Sequence, residues 1–181
     1  MSRAAVIKTG KVSLEDIFLE FNQFIDSHKS VVLATMNKDF EPESSYAPVL
    51  RHEGKFYIFI SELSNHTENL MTKPSASLLF IEAENEAKNL FARKRATLKA
   101  SAQIINRSTD QWQQVLALLE DKFGKIVSML KPLEDFHLFE LTPESAGYVR
   151  GFAQAYKLKG SDLSAVTHLN EGGHGKSRKA S

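Results

Sequence analysis

Two histidines near the carboxyl terminus are the residues of this sequence best suited to bind a metal. His168 and His174 lie in the segment HLNEGGHGK, in which Gly172 and Gly173 precede the second imidazole. A neutral imidazole binds a metal through one ring nitrogen and leaves the other nitrogen free to donate a hydrogen bond. The spacing of the two histidines matches no rigid metal motif. Considered alone, a histidine in such a segment is an ordinary solvated residue.

Three consecutive cations form a second candidate site. Arg93, Lys94 and Arg95 follow a predicted helical turn and precede a predicted strand. Such a cluster can bind propionates or a phosphate, because each arginine can pair with an anion through two donors. The alternative is a solvated charged face. His66, in SNHTENL, lies on a short polar helix, where it either contributes to a site or is exposed to solvent.

Several function classes are excluded or disfavoured by the composition. The chain contains no cysteine, which excludes disulfides, thiolate-bound clusters and a cysteine nucleophile. Ser44 and Ser45 lack the flanking glycines of a nucleophile elbow and have no base nearby in sequence, which argues against serine hydrolysis. No G-x-G-x-x-G or P-loop motif supports nucleotide binding. The net charge of +1 provides no general attraction to nucleic acid or to an anionic membrane.

The lengths of the apolar segments indicate where the protein is located. Residues 1–13 contain no apolar stretch typical of a signal peptide, and no apolar run approaches the length of a membrane span. We therefore expect a cytoplasmic protein with no membrane partner.

The elements that must position these residues are predicted from hydrophobic spacing. Helical periodicity covers 13–28 and 108–131, with Ser13 and Ser108 placed to cap. A short polar helix is predicted at 62–72 and a helical turn at 84–91. Strand patterns cover seven further segments: 31–36, 44–50, 55–61, 77–83, 95–106, 135–141 and 147–158.

Strands that follow one another through short connections favour an antiparallel arrangement over a βαβ sheet. The predicted fold class is therefore α+β, mainly β, an antiparallel barrel with peripheral helices. We expect a flexible amino terminus over 1–12, one barrel domain over 13–160 and a mobile carboxyl-terminal tail over 161–181 that carries His174.

The stretch VVLATMNKDFEPESSYAPVLRHEGKFYIFIS resembles the first half of the pyridoxamine-5′-phosphate-oxidase-like, FMN-binding split-barrel superfamily. The segments NLFARKR, GFAQAYKLKG and HLNEGGHGK are similar to its HutZ/HugZ-type haem-utilisation branch. The resemblance implies a split β-barrel that forms a homodimer, binds haem at the subunit interface and oxidises it with O2 and electrons from a donor, releasing iron.

The resemblance also implies roles for individual residues. His174 matches the axial ligand of the haem iron, although the match requires one extra glycine, so His168 is retained as the alternative ligand. Asp135 matches an aspartate of the other protomer that accepts a hydrogen bond from the axial imidazole, which would make that ligand more basic. His66 matches a histidine near the haem cleft, and Arg93 and Arg95 are candidates to bind the propionates.

Three functions remain open from the sequence. The first is a haem-degrading oxygenase, the second is an FMN-dependent oxidoreductase of the superfamily's flavin-binding type, and the third is a haem carrier or storage protein without turnover. The cation cluster does not separate haem from FMN, because flavin-binding relatives hold a phosphate in this region. The histidine-containing tail favours the first and third over the second.

Overall fold

The computed structural model describes residues 12–169, in which nine strands and four α-helices alternate along the chain. The elements are α1 (Leu14–Asp26), β1 (Ser30–Met36), β2 (Pro42–Pro48), β3 (Leu50–His52), β4 (Lys55–Ser61), α2 (Asn65–Thr72), β5 (Ser75–Ile81), a 3-10 turn (Leu90–Ala92), β6 (Arg95–Ile105), α3 (Asp110–Phe123), α4 (Ile126–Leu130), β7 (Phe136–Gly151), β8 (Gln154–Lys159) and β9 (Ala165–His168).

All strand pairs are antiparallel, in the order β2-β1-β5-β6-β7-β4-β3, and β8 and β9 extend the sheet from β7. The first half of β7 pairs with β4 and its second half with β8, so these two strands share one edge of β7. The hydrogen-bonded order does not close into a ring within residues 12–169. The predicted class, mainly antiparallel β with peripheral helices, is confirmed.

Helix α1 covers the larger of two hydrophobic cores. Ser13 caps the helix by accepting from the Asp16 backbone N–H, and the Asp16 carboxylate accepts in return from the Ser13 backbone. Ile17, Phe21 and Ile25 recur at helical spacing and are buried against the sheet. Each apolar side chain of this size contributes roughly 1.5–3 kcal/mol when buried. This packing holds α1 across the inner face of the barrel.

Helix α3 forms the second core on the opposite face of the sheet, through Trp112, Val115, Leu116 and Leu119. Its cap is Thr109, whose hydroxyl accepts from the Trp112 backbone N–H, and not Ser108 as the sequence predicted. The single helix predicted over 108–131 is also wrong. Gly124 has φ +82° and ψ −167°, a conformation that ends α3 and begins a new short helix, α4.

Strand β7 is continuous where the sequence predicted two separate strands. Ala100 of β6 pairs with Pro143 and Lys99 pairs with Ser145, so Glu144 is the extra residue of a β-bulge. Phe139 and Leu141 face the larger core before the bulge, whereas Ala146 and Tyr148 face it afterwards. The bulge shifts by one residue the alternation of side chains between the two faces of the sheet. For this reason the strand pattern in the sequence ends at residue 141 and begins again later.

The sheet also extends past the predicted end of the barrel domain at residue 160. Strand β9 pairs with β8, with Tyr156 opposite His168 and Leu158 opposite Val166. Val166 packs against the larger core and Leu163 is buried in it, which anchors this part of the predicted tail. The remaining predicted tail, residues 170–181, and residues 1–11 lie outside the described residues. No helix within residues 12–169 is long and apolar enough to span a membrane.

Candidate functional site

Asp135 lies immediately before β7, at the end of the β4–β7 ladder. Its backbone carbonyl accepts from the Glu62 backbone N–H at 2.9 Å, which continues the ladder beyond the Ser61–Phe136 pair. The Ser61 hydroxyl donates to Asp135 Oδ2 at 2.6 Å. No other hydrogen bond to the Asp135 carboxylate occurs within the described part of the chain, so Oδ1 is open to another donor. The contact between Ser61 and Asp135 is not evident from the sequence, because the pairing of β4 with β7 is not visible there.

His66 lies in the first turn of α2 and is 7% exposed. Its Nδ1 lies 2.8 Å from the Ser45 hydroxyl on β2, and the two form a hydrogen bond. Burial lowers the pKa of His66, because the charged imidazolium is separated from water. The interpretation of His66 as an exposed helix residue is therefore wrong, and its imidazole is held neutral. Ser45, which was considered only as a nucleophile, is its hydrogen-bond partner.

Buried hydroxyl and amide groups join the Asp135 region to α2. The Thr67 hydroxyl donates to the Ser61 carbonyl at 2.6 Å, and Thr67 is fully buried. Two residues later, the Asn69 amide donates to the Thr35 hydroxyl and to the Glu43 carboxylate. Helix α2 thus carries His66 and is held to β4, next to Asp135, through Thr67.

The three cations at 93–95 are more strongly paired than the sequence suggests. The Arg93 guanidinium donates to the Glu82 carbonyl and to the Glu84 carboxylate, the latter at 3.3 Å. The Arg93 Nε is buried and has no hydrogen-bond partner within residues 12–169. Lys94 forms an ion pair with Glu20 at 3.0 Å. These acidic partners are not evident from the sequence, because they come from α1 and the 82–84 segment.

Arg95 is the least engaged of the three cations. Its Nη1 donates to the Arg93 carbonyl at 3.0 Å, and no carboxylate pairs with it in the described part of the chain. The guanidinium therefore retains donors that could pair with an anionic ligand.

The cations and Asp135 do not lie together within one chain. Arg95 pairs with Val149, near the end of β7, whereas Asp135 precedes the beginning of that strand. At about 3.3 Å per residue, the two positions are separated by roughly 40 Å along the strand. Asp135 and Arg95 therefore lie at opposite ends of β7.

Large apolar side chains are exposed near the cations. Phe91, in the 3-10 turn, is 95% exposed, and Phe152, which directly follows β7, is 75% exposed. The 3-10 turn packs against β7, which places both phenylalanines at the end of the sheet that carries Arg95. Sequence reasoning used the segments containing them only for the family resemblance. Their exposure is not evident from the sequence, because Phe91 lies between Leu90 and Ala92 and Phe152 lies between Gly151 and Ala153.

Of the two candidate histidines of the predicted tail, only His168 lies within the described residues. His168 is the last residue of β9, and its ring centroid lies 4.9 Å from that of Tyr156. His174, the residue predicted to bind iron, lies outside the described residues. Between residues 12 and 169 no cluster of three or more His, Asp or Glu side chains could hold a metal ion.

A separate buried carboxylate, Glu140, is fully partnered. It accepts from Lys55 at 2.6 Å, from Gln111 at 2.8 Å and from Tyr57 at 3.1 Å. Burial, together with the adjacent Glu140 charge, raises the pKa of Tyr57 to about 12. Despite its burial, the Glu140 carboxyl has a lowered pKa because these donors stabilise the ionised form. This cluster ties α3 to the sheet.

Comparison with known proteins gives consistent results. A family model described as pyridoxamine 5′-phosphate oxidase matches residues 18–150. The haem oxygenase HutZ of Vibrio cholerae serotype O1 is 41% identical over 153 residues, which cover 84% of this chain and 87% of that protein.

Two solved structures show the same fold. The crystal structure of HutZ, a haem storage protein from Vibrio cholerae, matches with a TM-score of 0.70 at 37% identity, covering 74% of this chain and 94% of that one. Campylobacter jejuni ChuZ matches with a TM-score of 0.82 at 30% identity, covering 94% and 69% respectively. These similarities extend over most of the barrel and include both regions of the candidate site.

Proposed function

Because the chain belongs to the pyridoxamine 5′-phosphate oxidase family, in the branch of HutZ-type haem-utilisation proteins, we propose that it binds and degrades haem. The reaction is an oxygenase reaction: O2 and electrons from an external donor open the porphyrin ring, giving a linear tetrapyrrole and free iron. The observation that carries this proposal is the similarity to a haem oxygenase over nearly the whole of both chains.

The proposed iron ligand is the imidazole of His174, with His168 as the alternative. The carboxylate of Asp135 accepts the remaining imidazole N–H and orients the ring. The geometry of Asp135 supports this role, because Ser61 occupies one carboxylate oxygen and the other has no hydrogen-bond partner in the described domain. A half-buried carboxylate with one open oxygen is suited to accept from a single additional donor.

The site is proposed to lie between two copies of the chain. Asp135 and Arg95 are separated by most of the length of β7, so Asp135 of one copy accepts from the imidazole that binds haem, while the cationic end of the other copy contacts haem itself. Arg95, with Arg93 beside it, binds the propionates, while Phe91 and Phe152 provide an apolar surface for the porphyrin. Exposed aromatic rings can stack on a planar ligand, and a guanidinium without a carboxylate partner in the described domain can pair with the carboxylate substituents of that ligand.

His66 is proposed to line the haem cleft as a neutral side chain. Its Nδ1 is occupied by Ser45, which leaves only Nε2 available to a ligand. Since burial lowers its pKa, the imidazole adds no positive charge to the cleft at neutral pH. Its role is therefore to contact haem or the partner subunit without competing with the propionate-binding cations.

A second candidate function is haem storage or transport without turnover. The solved HutZ structure is described as that of a storage protein, which specifically favours this alternative. Binding of FMN, the third function considered from the sequence, is supported only by the wider family.

One experiment separates these functions. The full-length chain is titrated with hemin, and ascorbate is then added under air while the Soret band is followed. We expect a saturable Soret band that disappears with formation of a linear tetrapyrrole and of iron that ferrozine can chelate. A stable Soret band under these conditions would establish the carrier function, and co-purification of one flavin per chain without hemin binding would establish the FMN enzyme.

A further inference from the structure

We propose that Ser61 is a positioning residue that limits how strongly Asp135 accepts the proton of the axial imidazole. This inference rests on the proposed function, in which Asp135 acts on the partner subunit's His174. It assigns to Ser61 control of the electron donation from that imidazole to the iron.

The direction of the Ser61 hydrogen bond is determined by its surroundings. The Ser61 oxygen accepts from the Leu63 backbone N–H at 3.0 Å, so its own proton points away from that donor. That proton is donated to Asp135 Oδ2 at 2.6 Å, a distance typical of a hydrogen bond to a charged carboxylate. Ser61 therefore stabilises the carboxylate and does not accept a proton from it.

The position of Ser61 does not depend on this hydrogen bond. The residue ends β4, pairs with Phe136 in the sheet, and its carbonyl accepts from the buried Thr67 hydroxyl. Glu62 continues the ladder by donating to the Asp135 carbonyl. Removing the Ser61 hydroxyl alone leaves these backbone contacts intact, so its effect on Asp135 can be measured in a folded protein.

The consequence for the axial ligand has a definite sign. A donor on Oδ2 withdraws negative charge from the carboxylate and so weakens the hydrogen bond that Oδ1 accepts from an imidazole. Without the Ser61 hydroxyl, Oδ1 is a stronger acceptor and the imidazole gains imidazolate character. The iron–histidine bond then becomes stronger, and the ferric state is favoured over the ferrous state.

The test compares Ser61→Ala with Ser61→Thr, which keeps the hydroxyl and suits a strand position. Ser128→Ala is the matched control, because Ser128 also donates to a carboxylate, that of Glu120, but on the exposed surface of α4. The readouts are the iron–histidine stretching frequency of the ferrous haem complex, measured by resonance Raman spectroscopy, and the haem midpoint potential.

We expect Ser61→Ala to raise the stretching frequency and lower the midpoint potential, with both values restored in Ser61→Thr and unchanged in Ser128→Ala. An unchanged or lowered frequency in Ser61→Ala would overturn the inference, provided that Asp135→Asn alters the same signal. If His174→Ala leaves iron ligation intact, or the wild-type chain does not bind haem, the proposed function fails and this inference falls with it.

Discussion

The Ser45 hydroxyl lies 2.8 Å from Nδ1 of His66, and this hydrogen bond joins β2 to the first turn of α2. His66 is a buried imidazole whose pKa is lowered by burial. The α2 helix that carries it also holds Ser61 through Thr67. The ionisation of His66 is therefore linked both to folding and to the region of Asp135.

The first prediction concerns stability at mildly acidic pH. The unfolded chain binds a proton at His66 near pH 6.5, whereas the folded chain resists it until a lower pH. The free energy of unfolding should therefore decrease as pH falls from 7 to 5, and this decrease should be smaller in His66→Asn, which keeps a polar atom near Ser45. Urea unfolding at a series of pH values measures both slopes.

His52→Asn is the control, because it makes the same substitution at an exposed position of the β3–β4 hairpin. An equal pH dependence in the wild type and His66→Asn would show that His66 is not responsible.

The second prediction identifies the axial ligand. His174→Ala should shift the Soret band and weaken hemin binding by at least tenfold, because the iron loses its protein ligand. His168→Ala, a variant at the edge strand β9, should retain the wild-type spectrum. Absorbance titrations measure both. The opposite result would assign the ligand to His168.

The third prediction concerns the carboxylate partner. Asp135→Asn should retain hemin affinity within about threefold, since iron ligation is unaltered, and should slow ascorbate-driven haem loss by about 10- to 100-fold. The asparagine oxygen can still accept from Ser61, so the protein should remain folded. Single-turnover spectra provide the rate, and a wild-type rate in this variant would remove Asp135 from the proposed mechanism.

The fourth prediction separates two neighbouring arginines. Arg95→Gln should weaken hemin binding by about tenfold with little change in unfolding free energy, because its charge is not paired with a carboxylate in the described domain. Arg93→Gln should instead lower the free energy of unfolding by about 1 kcal/mol, since Arg93 holds the Glu82 carbonyl and Glu84. Hemin titration and urea unfolding of both variants make the comparison, and identical profiles would contradict it.

The fifth prediction concerns the break between α3 and α4. Gly124→Ala should destabilise the protein by about 1–3 kcal/mol, because its backbone conformation is essentially restricted to glycine. Gly147→Ala is the control, since a methyl group there meets no atom within 4 Å and its φ is not positive. Equal stability of the two variants would show that Gly124 carries no backbone constraint.

Local pattern was sufficient to predict much of this fold. The apolar spacing of α1, the apolar run of β4 and the alternation in β6 located those elements to within about two residues, because α1 and β6 bury one regular face and β4 buries both faces. The break at Gly124 and the bulge at Glu144 were missed. Both are backbone features whose positions depend on packing between elements distant in sequence.

The candidate site was less predictable than the fold. Asp135 was found through the family resemblance and Arg95 through the cluster of three cations. Their partners were not predicted, because Ser61 meets Asp135 only through strand pairing and the contact of Arg95 with the Arg93 carbonyl depends on the local backbone conformation. Lys94 forms its ion pair with Glu20, which lies on α1 and is distant from Lys94 in the sequence. The roles of His174 and of the second subunit remain predictions from the resemblance.

The bulge at Glu144 has a consequence for any redesign of this protein. Because β7 contains this extra residue, odd-numbered residues before the bulge and even-numbered residues after it face the same core. Deletion of Glu144 would place Phe139, Leu141, Ala146 and Tyr148 in regular alternation on one face, so these side chains would still face the core. What the deletion would remove is the local bend and the extra twist that a bulge gives its strand.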